Sequence, residues 1–363
     1  VNLFLFLYKG DRNFSNQKLS EILMSSSSSY KIALLGGSGF IGTKLTGDLW
    51  QAGHYVTIGD IQPSKTYPDF WRNADVRDPE SLKQVCHGQD AIINLAAVHR
   101  DDVRPLSLYA ETNVCGAEMV CKAAEAESIH TIIFTSSVAV YGHQPGEPNE
   151  DAPHHPINEY GKTKSDAEKV YRAWQEKDPG NRSLVIVRPT VVFGPRNRGN
   201  VHILMDQIRK GRFLMIGDGE NRKSMAYVDN ISAFLVHCLN FGPGVHIFNY
   251  VDKPDFSMND LISQIRTRLG KGLGVGPRLP YMLGMIAGTI FDGLARIMGR
   301  TFPISKVRIE KFCASTVFSA ERVAQTAFVP PKRLQDALKE TIEAEFTSPL
   351  SAEDSSGEGG SGN

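Results

Sequence analysis

The sequence predicts an α/β protein: a doubly wound parallel sheet with a smaller, partly interleaved α/β lobe. Three observations predict it. A glycine-rich turn follows an early apolar run, short apolar runs then alternate with helical spacing, and the regular alternation stops near residue 195. The opening run is Lys31-Ile32-Ala33-Leu34-Leu35, and Gly36-Gly37-Ser38-Gly39-Phe40-Ile41-Gly42 leads from it into a helical pattern. Gly36 permits a tight turn, Gly39 lets the backbone approach a pyrophosphate, and Gly42 lets the helix pack on the sheet. The unpaired amides of that helix start would bind phosphate.

A second strand over His54–Gly59 ends at Asp60, where a carboxylate can accept from ribose hydroxyls. Ile61 and Gln62 follow it, with no adjacent cation to offset repulsion of a 2′-phosphate, so the residues favour NAD over NADP. Further buried strands are expected at Asp90–Leu95, Thr131–Ser136 and Leu184–Arg188, with helices at Pro105–Glu125 and Asn158–Gln175. Beyond them, helices are expected at Val201–Lys210, Val228–Leu239, Ser257–Leu269 and Arg333–Glu345, and a strand at Val245–Tyr250. The expected division is a dinucleotide-binding domain over 30–195, to which 225–250 returns, and a substrate lobe over 196–224 and 251–346. Residues 1–29, read as an upstream extension of a protein that starts near Met24, and the Ser/Gly-rich tail 347–363 are expected to be disordered.

Lys plus Arg balance Asp plus Glu at 40 each, without a dense basic run, which leaves nucleic acid no electrostatic footprint. The five cysteines are scattered without paired spacing, which argues against a disulfide framework and a zinc site and for a reducing, cytoplasmic setting. His154-His155 has no further ligands at suitable spacing, so no metal is expected. Tyr281–Met298 is apolar but interrupted by Asp292 and Arg296. The expectation is a helix packed in the core or a dimer seam, with peripheral membrane contact as the rival and no transmembrane span.

The chemistry rests on three side chains. Ser137 follows a strand end, and Tyr160 and Lys164 lie one helical turn apart on one face. A phenol with an ordinary pKa of about 10 must shift by roughly three units, or about 4 kcal/mol, to act as a base near neutrality. The Lys164 ammonium and a cationic nicotinamide ring can supply that, while Ser137 hydrogen-bonds the reacting oxygen.

These residues resemble the extended short-chain dehydrogenase/reductase family, and within it the nucleotide-sugar epimerases, from Tyr30 to about Phe346. The resemblance implies an NAD enzyme with catalytic Ser137, Tyr160 and Lys164. It implies cofactor contacts at Gly36, Gly39, Phe40, Ile41, Gly42, Asp60, Asp75, Val76, Leu95, Ala96, Ala97, Asn113, Tyr160 and Lys164. Arg188–Pro195 and Ile216–Gly219 resemble segments of members that bind sugar nucleotides. Substrate contacts are then expected from Ser137, Tyr160, Asn200, Arg196, Arg198 and Lys223, the last standing where relatives carry an Arg on the diphosphate. His99, Arg100, Asp101, Asp102 and His143 are candidates for the substrate mouth.

Dehydratases of this family place an Asp-Glu pair after the catalytic Ser or Thr, whereas this chain has Val138-Ala139. Epimerisation needs only hydride removal and return. The resemblance therefore implies C4 epimerisation of UDP-N-acetylglucosamine or a related UDP-hexose, and a homodimer. Two alternatives stand beside it: a reductase or dehydrogenase of a non-nucleotide or lipid-linked ketone or alcohol, and a non-catalytic NAD-binding protein.

Overall fold

A computed structural model describes residues 29–100, 102–298 and 305–347. The expected disorder over 1–28 and 348–363, and Asp101, lie outside the described residues.

Seven strands form the main sheet in the order β10-β6-β5-β4-β1-β2-β3. They are β1 Lys31–Leu35, β2 Tyr55–Asp60, β3 Trp71–Asn73, β4 Ala91–Asn94, β5 Thr131–Thr135, β6 Ser183–Pro189 and β10 Gly244–Tyr250. Every neighbouring pair is parallel. All seven residues of β6 and all four of β4 are buried, as strands covered on both faces require. Alternate residues serve opposite layers. Ala33, Leu35, Ile132, Phe134, Leu184 and Ile186 face one core, and Ile32, Leu34, Ile133, Val185 and Val187 face the other.

The first layer is closed by α2 Pro79–Cys86, α3 Gly116–Ala126 and α4 Glu159–Glu176, through Leu82, Val120, Tyr171 and Trp174. The second is closed by α1 Phe40–Gln51 and α6 Val228–His237, through Leu45, Leu49, Ile231 and Phe234. The chain order reverses between β1 and β4. In an open α/β sheet that crevice is where a ligand binds.

A three-stranded sheet, β11-β9-β7, joins β7 Val191–Phe193, β9 Arg222–Tyr227 and β11 Asp252–Ser257, and the short β8 Met215–Ile216 pairs with β12 Arg278–Leu279. With α5 Asn200–Arg209, α7 Met258–Arg268 and α11 Leu334–Ile342 the three-stranded sheet encloses a separate core containing Met205, Ile262 and Leu338. Of the segment 225–250, α6 and β10 belong to the main sheet's layers, whereas residues 225–227 complete β9. The remaining helices are α8 Tyr281–Met298, α9 Lys306–Cys313 and the short α10 Glu321–Ala324.

Several elements differ from expectation. The strand expected at His54 begins at Tyr55, because His54 closes the preceding turn by donating to Leu49 O. The helix expected from Pro105 begins at Ser107 and passes through a π-helical turn at Glu111–Cys115 before α3. β7, β8, β9, β11 and β12 had no expectation. α8 is helical but is not core: Met282, Leu283, Ile286 and Ile290 are exposed.

Candidate active site

A cleft of about 1480 Å³ runs across the carboxyl ends of β1, β4 and β5 into the smaller sheet. Pockets for one small ligand measure roughly 300–1,000 Å³, so this one has room for two. Its first wall is backbone. Gly36 has φ +76°, and a Cβ there would lie 2.7 Å from Ala96 N. A Cβ on Gly42 would meet Gly36 O at 2.6 Å, so α1 can start against the turn only with hydrogen there. Gly39 is the N-cap of α1 and offers no side chain to its amides, leaving that helix end for an anion.

Gly36, Gly39, Phe40, Ile41, Gly42, Asp60, Asp75, Val76, Leu95, Ala96 and Ala97 all line this wall. Asp60 is aimed by two backbone amides: Ser38 N donates to its Oδ2 at 3.0 Å and Gln62 N to its Oδ1 at 2.9 Å. Asp75 is held below the usual carboxylate range by hydrogen bonds from the Arg77 guanidinium at 2.6–3.0 Å. Asn113 does not line the cleft. Its amide clamps Val98, accepting from Val98 N at 2.9 Å and donating to Val98 O at 3.0 Å, so it shapes the 95–98 wall from behind. The residues fit a bound dinucleotide on a further count. The hydroxyls of Ser136 and Thr190 are buried at the cleft without a hydrogen-bond partner among the described residues.

The middle of the cleft holds Ser137, Tyr160 and Lys164. Ser137 caps a 3₁₀ turn, Val138–Tyr141, by accepting from Ala139 N at 3.1 Å, which fixes its hydroxyl. Asn158 caps α4 by accepting from Gly161 N at 2.9 Å, which places Tyr160 in the helix's first turn. The phenol hydrogen-bonds Ser137, yet burial raises its pKa above the ordinary value. Lys164 lies one turn deeper, where its Nζ donates to Thr135 O at 2.7 Å and sits 4.5 Å above the Phe134 ring. Burial lowers its pKa to about 7, with Glu168 opposing. Burial pushes both groups toward their neutral forms.

The sequence reading missed what holds α4 in place. Arg188, 1% exposed on β6, donates to both Glu168 oxygens at 2.8 and 2.6 Å and to Tyr141 OH at 2.6 Å. Tyr141 OH donates in turn to Asn249 Oδ1 at 2.7 Å. This buried network ties the helix bearing Tyr160 and Lys164 to the strand beneath it and to the turn bearing Ser137. A charged residue within the apolar β6 run was its signal.

The third wall departs most from expectation. Asn200 and Arg198 line the cleft, but Arg196 and Lys223 do not. Arg196 is held by its amide, which donates to Glu345, and Arg198 forms an ion pair with the same carboxylate. Lys223 donates to the carbonyl oxygens of Lys311, at 3.0 Å, and Ala314, and burial lowers its pKa to about 8. These partners come from α9, the segment after it and the chain end, which local spacing around 196–223 could not reveal. His99, Arg100, Asp102 and His143 line the cleft, with Arg100 paired to Asp102 at 2.8 Å. Among the described residues no group of three or more His, Cys, Asp or Glu is placed to hold a metal ion.

Residues 32–250 match the model of the NAD dependent epimerase/dehydratase family. The chain belongs to that family. It is 47% identical over 316 residues to N-acetyl-alpha-D-glucosaminyl-diphospho-ditrans,octacis-undecaprenol 4-epimerase of Escherichia coli O157:H7, covering 87% of this chain and 95% of that one. UDP-glucose 4-epimerase of Vibrio cholerae is 26% identical, over 86% of this chain and 94% of its own. Among solved structures, UDP-N-acetylglucosamine 4-epimerase of Methanobrevibacter ruminantium M1, in complex with UDP-N-acetylmuramic acid, superposes with TM-score 0.69 at 21% identity. It covers 88% of this chain and 99% of that one. As a member of the NAD-dependent epimerase/dehydratase family, the protein is an NAD-dependent epimerase with a Rossmann-type fold.

Proposed function

We propose that this enzyme inverts C4 of an N-acetylglucosamine joined through a diphosphate to a polyisoprenoid carrier. The observation that carries this reading is the 47% identity extending over 95% of the Escherichia coli relative, whose name specifies that substrate. The cleft supports epimerisation in one way: Val138 and Ala139 stand where a dehydratase needs an acid/base pair. The diphosphate is common to the carrier-linked and nucleotide-linked sugars. Of the cations expected on it, Arg198 pairs with Glu345 and the Lys223 ammonium donates to backbone carbonyls, whereas Arg196 meets Glu345 through its backbone amide.

In this reading Gly36, Gly39 and the first amides of α1 bind the NAD pyrophosphate, Asp60 its ribose, and Asp75 with Val76 its adenine. Bound NAD supplies a hydride acceptor that later returns the hydride, and a positive ring that favours the Tyr160 phenolate. Tyr160 takes the proton of the C4 hydroxyl and gives it back after the sugar has turned over. Ser137 donates to the same oxygen, which stabilises the charge that develops on it. Lys164, with a pKa of about 7 before cofactor binding, is poised to gain or lose its proton near neutrality. The nucleotide-linked sugar, UDP-N-acetylglucosamine, is the second reading. The Vibrio cholerae relative, a UDP-glucose 4-epimerase, favours a nucleotide-linked hexose in general.

The test presents both substrates, without added cofactor, to the purified protein and follows the C4 epimer by proton NMR. The expected result is an epimer from the carrier-linked sugar with no accumulation of NADH. Turnover of UDP-N-acetylglucosamine alone would replace this reading by the second one. Net NADH formation or consumption with a ketone or alcohol would replace both by the reductase alternative.

A further inference from the structure

We propose that α8, with the first turn of α9, is a docking surface for an anionic lipid bilayer. The inference begins with how α8 packs. Among the residues whose side chains are described, the buried ones are glycines: a Cβ on Gly284 would lie 2.7 Å from Ile216 Cγ2, and one on Gly288 would lie 2.8 Å from Lys306 N and 3.0 Å from Ile309 Cδ1. Close approach of α9 thus uses up the glycine face. Several large apolar side chains are rotated outward, with Met282 68%, Ile286 55% and Ile290 57% exposed and Leu283 beside them, while Met285 and Phe291 are half-buried. A helix stabilised by packing its large residues into a core shows the opposite arrangement. Val307 on α9 extends the apolar surface at 55% exposure.

Charge selects the partner. From Lys271 to Cys313 the sequence carries seven Lys or Arg against two Asp or Glu, in a chain whose net charge is zero. An outward apolar stripe in a strongly basic segment matches the headgroup region of a membrane rich in anionic lipid, where apolar insertion and electrostatic attraction add. Among the described residues no helix is long and apolar enough to cross a membrane, so α8 lies along the surface.

The surface also connects to the chemistry. Val307, Glu310 and Lys311 of α9 line an annex of about 400 Å³, and Gly142, His143, Thr316 and Phe318 line both the annex and the main cleft. α9 therefore touches α8 through Ile309 and, through Val307 and Lys311, lines the annex that opens onto the reaction cleft. A carrier lipid seated at the membrane has a route to Ser137 and Tyr160 along this annex. That last step rests on the carrier-linked substrate proposed above, whereas adsorption to the bilayer does not.

The experiment sediments the full-length protein with vesicles of phosphatidylcholine alone or mixed with phosphatidylglycerol. The protein is expected to pellet with the anionic vesicles, to be released by added salt, and to stay soluble with phosphatidylcholine. The variant carrying Ile286→Glu and Ile290→Glu, both at exposed positions, is expected to bind at least about tenfold more weakly. Its melting temperature and NAD affinity are expected to match the parent's, which separates lost docking from lost folding. Protein that remains in the supernatant with anionic vesicles overturns the proposal, as does a double variant that binds undiminished. Self-association that the double variant abolishes, without vesicle binding, assigns the face to a second copy instead. Turnover of the carrier-linked sugar in detergent, measured alongside, reports on the substrate reading independently.

Discussion

The two ends of the cleft are built on different principles. The end around β1 and α1 is shaped by backbone: a turn that only glycine can make, amides at a helix start, and a carboxylate aimed by two amides. At the end around β7, β9 and α5 the long cationic side chains are directed by distant partners: Arg198, which lines the cleft, pairs with Glu345, and Lys223, outside it, donates to the carbonyls of Lys311 and Ala314. A backbone site is encoded where it stands. A side-chain site is encoded jointly by segments more than eighty residues apart, and its specificity can change without any change in the local motif.

The largest expected effect falls between these ends. Tyr160→Phe removes the group proposed to move the proton but leaves the backbone cradle intact. The epimerisation rate is expected to fall by about 10²–10⁴-fold or more, while bound NAD, read by its absorbance after denaturation, is retained. Loss of the cofactor in this variant would mean that the phenol belongs to the cradle as well, and the division would fail. The next effect isolates the cradle. Gly36→Ala places a Cβ on a residue with φ +76° and drives it to 2.7 Å from Ala96 N. NAD affinity is expected to fall at least about tenfold, and the melting curve to report a loss of roughly 1–3 kcal/mol. Unchanged NAD binding in a calorimetric titration would show that the turn does not shape the site.

A third prediction concerns the floor of the cleft, where burial lowers the Lys164 pKa to about 7 from an ordinary 10.5. The folded pKa lies below the unfolded one, so between them the unfolded chain binds the extra proton and stability rises with pH. The penalty of charging Lys164 is complete below about pH 7 and vanishes above the unfolded value. Relative to the parent in the absence of NAD, Lys164→Met is therefore expected to look most favourable at pH 6 and to lose that advantage steadily toward pH 10. A stability difference independent of pH, by denaturant titration, would show that Lys164 is not desolvated in the folded chain.

The same contrast explains how much could be read in advance. The parallel sheet and the cofactor wall were legible because Gly36 to Gly42, Asp60 and the buried runs of β1, β4, β5 and β6 each act through local spacing or burial on both faces. Ser137, Tyr160 and Lys164 were legible as residue types on adjacent elements and do share the cleft. The state of Lys164 was not, since it depends on the Thr135 carbonyl and Phe134 ring beneath it. Short strands such as β7 and β8 carry too few residues for a period to show. α8 showed its apolar content but not its orientation, because the glycine face that decides it works only once Ile216 and Ile309 are known to lie opposite.

The smallest expected effect is the sharpest test of the contrast, because it predicts near silence where a phosphate contact would be loud. Lys223 lines neither cavity, and its ammonium is spent on two backbone carbonyls. Lys223→Met keeps the length of the stem and removes the charge. If the residue only braces β9 against α9, KM and kcat stay within about twofold of the parent, since no substrate group loses a partner. Stability changes modestly, because the two carbonyls lose a donor and the burial penalty on the ammonium is lost with it. A cation on the diphosphate behaves differently: its removal raises KM tenfold or more, by about 1.4 kcal/mol or more, and the loss is partly masked by salt. A rise of that size with an unchanged melting temperature would mean that Lys223 swings out of its carbonyl pocket when substrate arrives. The substrate wall would then be a site assembled on binding.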